Sequence, residues 1–211
     1  MSDFIYKVNG VEYPVIIIHK RIKNIHYRLV DGTFKISCHP LTSKKKIMTG
    51  LEEFAPSLIK RSEKPKPLGE DFIYLYGVKV PLSESGVIHF TDGSKLEYKN
   101  REDLNRKLRK MFLSLVTRRV EYYSKLMSLP LYKVSVRNMT SRFGSNSKYT
   151  KSVHFSTTLM HYSIPIIDSV IVHELAHIKE YNHSKAFYDV VYKHCPNYDI
   201  CRKKLLRGEF Q

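Results

Sequence analysis

The chain has 211 residues, of which 42% are apolar and 12% aromatic, enough to bury a core and too many for a disordered protein. No apolar run approaches the roughly 20 residues that cross a bilayer, and the first residues lack the build of a signal peptide. Three cysteines, Cys38, Cys195 and Cys201, are too few and too scattered for a disulfide framework. We therefore expect a cytoplasmic protein without a membrane partner.

The charge of the chain is strongly positive, at +16, because 36 Lys and Arg residues face 20 Asp and Glu residues. The basic residues are concentrated in segments 1–50 and 101–150. A basic surface raises the local concentration of phosphate-bearing partners. The positive charge is compatible with an anionic substrate or with a nucleic acid partner. It does not indicate which groove or which bases of a nucleic acid the protein would contact.

The first hundred residues show alternating apolar positions between turns, which predicts β-hairpins. Asn9-Gly10 and Asp31-Gly32 supply the positive φ angles that tight hairpin turns require. The predicted strands are Phe4–Val8, Val11–Val15, Ile25–Leu29, Phe34–Cys38, a pair over Phe72–Leu82, Val87–Thr91 and Leu96–Tyr98.

One helix interrupts these strands, with Thr42 or Ser43 as its cap. Pro56 lies inside the helical pattern and is predicted to kink or divide the helix. Ser62–Gly69 contains two prolines and is typical of a linker. The apolar positions of the helix are Ile47, Met48, Leu51, Phe54 and Leu58.

From Glu102 onward the apolar residues recur at the spacing of an α-helix instead of alternating. A long amphipathic helix is predicted up to Pro130, and its polar face carries basic residues within Arg101–Lys125. The remaining predictions are a strand at Tyr132–Val136, a tight turn at Arg142–Lys148, a strand at Ser152–Thr157, and helices over Ile164–Tyr181, Ser184–His194 and Tyr198–Arg207.

The segment His173-Glu174-Leu175-Ala176-His177 carries the strongest chemical signal. Two histidines four residues apart project from one face of a helix and can bind one ion, and neutral imidazole is a good zinc ligand. Glu174 lies about 100° around the helix from His173, so it can flank the metal-bound water without being a ligand. Its carboxylate can accept the proton of the attacking water.

A third histidine, His183, follows His177 at a distance that lets the chain bend back towards the ion. The complete signature is His-Glu-x-x-His-x5-His. The surrounding helix is apolar nearly all round, so its buried histidines and glutamate need a partner. One zinc ion per chain, held by His173, His177 and His183, supplies that partner.

The C-terminal half resembles the YgjP-like metallopeptidase family, which is related to WLM and SprT-type zincins. The resemblance rests on the histidine motif, on Asn182-His183-Ser184 followed by Phe187, and on the segment Asn138–Ser145. The family usually has Trp at Phe143 and Cys at Asn146, and neither departure affects the zinc ligands. The resemblance implies a zinc ion on the three histidines, with Glu174 as catalytic base.

Together these features predict an α+β protein in two parts. Residues 1–100 form a β-hairpin-rich lobe with one helix, and residues 101–211 form a zincin-like helical catalytic region with a small sheet. The predicted function is that of a zinc-dependent metallopeptidase-like hydrolase. Two alternatives stay open: a metal-dependent nucleoside triphosphate pyrophosphohydrolase, and a nucleic-acid-associated protease that acts on DNA-bound protein.

Two residues are candidates for substrate binding. Arg142 can bind a substrate carboxylate or phosphate bidentately. His154 lies on the predicted strand Val153–Ser156, which we expect to run along the cleft and to pair with an extended substrate backbone.

Overall fold

A computed structural model describes residues 3–83, 86–90 and 92–211. The chain is a mixed α+β protein, as predicted, and it divides into two compact units, Met1–Lys64 and Pro65–Gln211. No helix in the described ranges is long and apolar enough to cross a membrane.

The N-terminal unit is built on a four-stranded sheet with the order β1-β2-β4-β3. Both predicted hairpins are confirmed, because β1 pairs antiparallel with β2 and β3 pairs antiparallel with β4. The two hairpins are joined by the parallel pair of β2 and β4. The strands are β1 (Phe4–Val8), β2 (Val11–His19), β3 (His26–Val30) and β4 (Thr33–Cys38).

Helix α1 (Lys44–Ser62) packs within this unit and is capped by Ser43, whose side chain accepts from the backbone N–H of Lys46. Pro56 is predicted to kink or divide the helix, and division is excluded because α1 runs through Pro56 without interruption. Ala55 and Ile59, on either side of Pro56, pack against the same apolar core. That packing holds the helix together although proline lacks a backbone N–H.

The border between the two units falls inside the predicted linker Ser62–Gly69. The predicted domain boundary, by contrast, lay at residue 100. The hairpins that follow the linker belong to the C-terminal unit because their apolar side chains, among them Ile73, Leu75 and Ile88, are part of its core. An alternating strand pattern shows that one face is buried but not which core buries it.

The C-terminal unit contains two short hairpins, a three-stranded sheet and four α-helices in the described ranges. The predicted strand Val87–Thr91 ends at His89, and Thr91 lies outside the described residues. The elements are β5 (Phe72–Leu75), β6 (Val78–Pro81), β7 (Val87–His89), β8 (Lys95–Glu97), α2 (Arg101–Leu126), β9 (Lys133–Arg137), β10 (Gly144–Ser147), β11 (Ser152–Ser156), a 3₁₀ turn (Thr157–His161), α3 (Ile164–Ala176), α4 (Lys185–His194) and α5 (Tyr198–Arg207).

The three-stranded sheet has the order β10-β11-β9, and it corrects two predictions. The predicted tight turn at Arg142–Lys148 contains strand β10, which pairs antiparallel with β11, and the turn itself follows at Lys148. The small polar residues of β10 suit a turn locally, but pairing with β11 decides the conformation. β11 is central and bonded on both sides, so it cannot be the strand that pairs with substrate.

The basic face of α2 is engaged by the protein itself at three arginines. Arg106 pairs with Asp103, and Arg109 donates to the carbonyl oxygen of Val136 at 2.7 Å. Arg119 forms a bidentate pair with Asp168 of α3, with Nε 2.7 Å from Oδ1. Arg109 and Arg119 thus connect α2 to β9 and α3, which weakens the interpretation of the α2 face as a nucleic acid site.

The pair between Arg119 and Asp168 links α2 to the helix that carries the histidine motif. Asp168 is buried, so removing Arg119 leaves its carboxylate inside the protein without this cationic partner, although the hydroxyl group of Tyr123 still contacts it. We expect Arg119→Met to lower the free energy of unfolding by about 3–5 kcal/mol. Chemical denaturation measures the change, and the matched control Arg118→Met, on an exposed neighbour, should stay within about 0.5 kcal/mol of wild type. Equal losses in the two variants would contradict the prediction.

Candidate metal centre

Helix α3 carries the histidine motif and is buried along most of its length. Pro165 lies in its first turn, where the missing N–H costs nothing. The helix is shorter than the predicted Ile164–Tyr181, because it ends at Ala176 and His177 is its C-cap residue. His177 keeps a right-handed helical φ of −62°, so His173 and His177 still project from one side. The loop after the helix brings back the third histidine.

The three motif histidines converge. One ring nitrogen from each of His173, His177 and His183 lies within 4.8 Å of the other two. The Nε2 atoms of His173 and His183 are 3.2 Å apart. Two nitrogens at about 2.0–2.1 Å from a tetrahedral zinc ion are about 3.3 Å apart, so this pair already has the spacing of a zinc site.

Hydrogen bonds orient two of the imidazole rings. Nδ1 of His177 lies 3.3 Å from the carbonyl oxygen of Glu180, to which it can donate. Nδ1 of His173 lies 2.8 Å from the hydroxyl oxygen of Tyr198. Both contacts place the proton on Nδ1 when Nε2 binds a metal, an arrangement common among metal-binding histidines.

Burial and neighbouring charges favour the neutral form of His173 and His177. Burial, together with the smaller effects of the neighbouring His177 and His183, lowers the pKa of His173 to about 3. Burial, followed by the charge of His183, also lowers the pKa of His177. Because neutral imidazole is the form that binds zinc, the donor set fits a divalent zinc ion.

Glu174 is buried beside the triad and is 6% exposed. Within the described ranges no donor is hydrogen-bonded to its carboxylate. Burial raises the pKa of Glu174 to about 8, and the positive charge of Arg142 opposes that rise. A carboxyl group held without a partner next to three histidines is suited to proton transfer rather than to stabilising the fold.

Strand β10 lies directly against this glutamate. A Cβ atom built on Gly144 would be 2.6 Å from Oε1 of Glu174, so only glycine leaves room for the carboxylate. The side chain of Asn146 donates to the backbone carbonyl oxygen of Glu174 at 2.8 Å. These two residues fix the edge strand over the motif, and Asn146 gives a defined contact at the position where the family usually has Cys.

The two predicted substrate-binding residues lie in different places. Arg142 lines both cavities next to the triad, which have volumes of about 530 and about 350 Å³. His154 lines neither of these cavities. Its ring nitrogens contact the hydroxyl oxygens of Ser135 and Ser152 at 2.7 and 3.2 Å, within the sheet. The structure thus places Arg142 at the site and gives His154 other partners, and a role in substrate binding stays a prediction for both.

Sequence reasoning missed Tyr198, Arg202, Gly144 and Asn146 as residues of the site. Tyr198 and Arg202 belong to α5, more than 20 residues after the motif helix, and Tyr198 begins that helix. No spacing rule connects them with the motif, since they reach it only through the packing of α5 against α3. For Gly144 and Asn146, the available signal was their place in the segment that resembles the family.

Tyr198 offers a direct test of ring orientation. Tyr198→Phe removes only the hydroxyl oxygen that faces Nδ1 of His173. We expect the dissociation constant for zinc to rise about 10–100-fold, the usual cost of losing a hydrogen-bond partner of a metal-binding histidine. Competition with a chromophoric chelator measures this constant. Tyr192→Phe, which removes a hydroxyl bonded to Asp199 instead, is the matched control and should bind zinc as wild type does. Unchanged zinc affinity in Tyr198→Phe would contradict the prediction.

Two solved structures are similar to part of this chain. The chain is similar to the metallopeptidase zymogen of Pyrococcus abyssi abylysin, with 20% identity and a TM-score of 0.38 over 43% of this chain and 94% of that one. It is also similar to the metallopeptidase zymogen of Methanocaldococcus jannaschii jannalysin, with 18% identity and a TM-score of 0.37 over 42% and 93% of the two chains. The search of curated proteins gave no match. The family model described as YgjP-like, metallopeptidase domain matches residues 41–207, which is most of the chain. The protein therefore belongs to the YgjP-like metallopeptidase family.

Proposed function

We propose that the protein hydrolyses peptide bonds with one zinc ion bound by His173, His177 and His183. The observation that carries this proposal is the convergence of three imidazoles beside a buried carboxylate that accepts no hydrogen bond within the described ranges. Membership of a metallopeptidase family supports the reaction class. The proposal keeps the catalytic and metal-binding roles that the sequence predicts for these four residues.

In the proposed mechanism Glu174 moves the proton. Its carboxylate accepts a proton from the water that attacks the substrate carbonyl carbon, and it can pass that proton to the departing amine. Bound zinc supplies Lewis acidity, and its positive charge also favours the ionised form of the nearby carboxylate. His173 and His177 keep their Nε2 atoms directed at the site because their Nδ1 atoms are occupied by Tyr198 and Glu180.

Strand β10 is suited to align a peptide. It is the end strand of its sheet, and it runs over the motif helix. The N–H of Ser156 donates to the carbonyl oxygen of Phe143, so by antiparallel alternation Gly144 and Asn146 direct their backbone groups to the open edge. An extended substrate can add to that edge and place a peptide bond near the triad. This assigns to β10 the role that we expected of β11.

The proposal predicts that the zinc-loaded protein releases new amino termini from casein. The same preparation, incubated with nucleoside triphosphates, should release neither phosphate nor pyrophosphate. Protein stripped with a chelator should be inactive on casein and should regain activity when zinc is returned. Release of pyrophosphate without cleavage of casein would favour the pyrophosphohydrolase instead. Cleavage that requires added DNA would favour the protease of DNA-bound proteins.

A further inference from the structure

The larger cavity beside the triad, of about 530 Å³, has an unusual distribution of charge. Arg142 lines it next to β10, and Arg202 lines it from α5. Among the described residues that line it, the one carboxylate is Glu174, which the proposed mechanism already uses. The cavity therefore presents two guanidinium groups next to the reacting centre.

Both guanidinium groups act on neighbouring side chains only through their charge, Arg142 on Glu174 and Arg202 on His173, in the described part of the chain. No hydrogen bond or ion pair of Arg142 or Arg202 occurs there. Arg109 and Arg119 on α2, by contrast, are bonded to protein oxygen atoms. Each of these two guanidinium groups has five N–H donors in a planar arrangement, and these donors are available to an anionic ligand.

The lining of this cavity also includes apolar side chains. Val170 of α3 and Leu205 of α5 are buried and line the cavity with the two arginines. A short aliphatic stem that ends in a negative charge matches this combination, because the stem can contact the apolar side chains while the charge reaches the guanidinium groups. A carboxylate accepts bidentate hydrogen bonds from arginine.

We propose that Arg142 and Arg202 are specificity-determining residues that bind a substrate carboxylate beside the scissile bond. The preferred substrate is then a peptide with Glu or Asp next to the cleaved bond, or one whose own C-terminal carboxylate lies there. Both sources present the same chemical group. This inference rests on the proposed peptidase function, and it deepens it by naming the substrate class.

Peptide binding to zinc-loaded Glu174→Gln protein tests the inference without requiring turnover. The probes are fluorescein-labelled peptides of one sequence, taken from a site cleaved in casein or, if none is cleaved, from a fixed polyalanine host. They carry Glu, Gln or Lys at each position in turn and end in either a free carboxylate or an amide. Fluorescence anisotropy gives the dissociation constants. The Glu series and the free-carboxylate series separate the two sources of the charge.

We expect at least one carboxylate-bearing peptide to bind about tenfold or more tightly than its neutral counterpart. Arg142→Met and Arg202→Met should each abolish this preference. Lys148→Met and Lys203→Met remove the same charge from exposed positions outside the cavity and should preserve it. Equal binding of charged and neutral peptides, or equal losses in the lysine controls, overturns the inference. A carboxylate preference in a protein that cleaves no peptide would reject the proposed function and leave the carboxylate site standing.

Discussion

Glu174→Gln is expected to lower the rate of peptide hydrolysis by about 10²–10⁴-fold and to leave the zinc content unchanged. Gln has nearly the same shape as Glu, so it fits the space beside Gly144. Its amide cannot accept the proton that the attacking water must lose. The three histidines stay in place because their orienting contacts come from Tyr198 and the Glu180 carbonyl group, not from the Glu174 carboxylate.

Initial rates on casein and zinc analysis of the same preparation measure the two expectations together. Glu121→Gln, on the exposed surface of α2, is the matched control and should have wild-type activity. Full activity in zinc-replete Glu174→Gln protein would mean that another group is the base. Loss of zinc together with activity would mean that Glu174 helps to build the site, and the role assigned to it would be wrong.

Removal of a histidine ligand should lower the zinc content as well as the activity. We expect His173→Ala and His177→Ala each to lose most of the bound zinc, and the activity with it. Each substitution takes away one of three protein donors and leaves an incomplete coordination shell. Zinc analysis after dialysis against buffer without metal measures the loss. His26→Ala, an exposed histidine of the N-terminal unit, should retain one zinc per chain.

Thermal unfolding provides an independent measure of the same site. A ligand that binds only the folded state stabilises it, so added zinc should raise the Tm of wild type. The same addition should leave the Tm of His173→Ala and His177→Ala nearly unchanged. Wild-type zinc content in either variant, or an equal rise in Tm, would reject the proposed ligand set.

The motif could be predicted because its geometry is local. A spacing of four residues sets His173 and His177 on one side of any helix, whatever surrounds that helix. The apolar residues around them indicate a buried helix, and a buried histidine needs a partner. His183 is close enough along the chain for one bend to return it. The hairpins at Asn9-Gly10 and Asp31-Gly32 were predictable for the same reason, since a tight turn depends on adjacent residues.

Other features depend on contacts between residues that are distant in the chain. Segment 144–147 has the composition of a turn, but β11 makes it a strand and α3 fixes it against Glu174. The membership of Ile73, Leu75 and Ile88 in the C-terminal core is another such feature, because alternation shows that a strand has a buried face without identifying the core.

By itself the sequence determined the histidine motif, its helix and the α+β composition, all of which follow from periodicity and spacing along a short stretch of chain. Only the tertiary structure decided that β10, not β11, forms the open edge over Glu174. It also brought Tyr198 to His173 and Arg202 to the cavity shared with Arg142. Those contacts arise from the packing of α5 on α3. Burial of apolar side chains drives that packing. Because this driving force is non-directional, the sequence does not indicate which two helices will pack together.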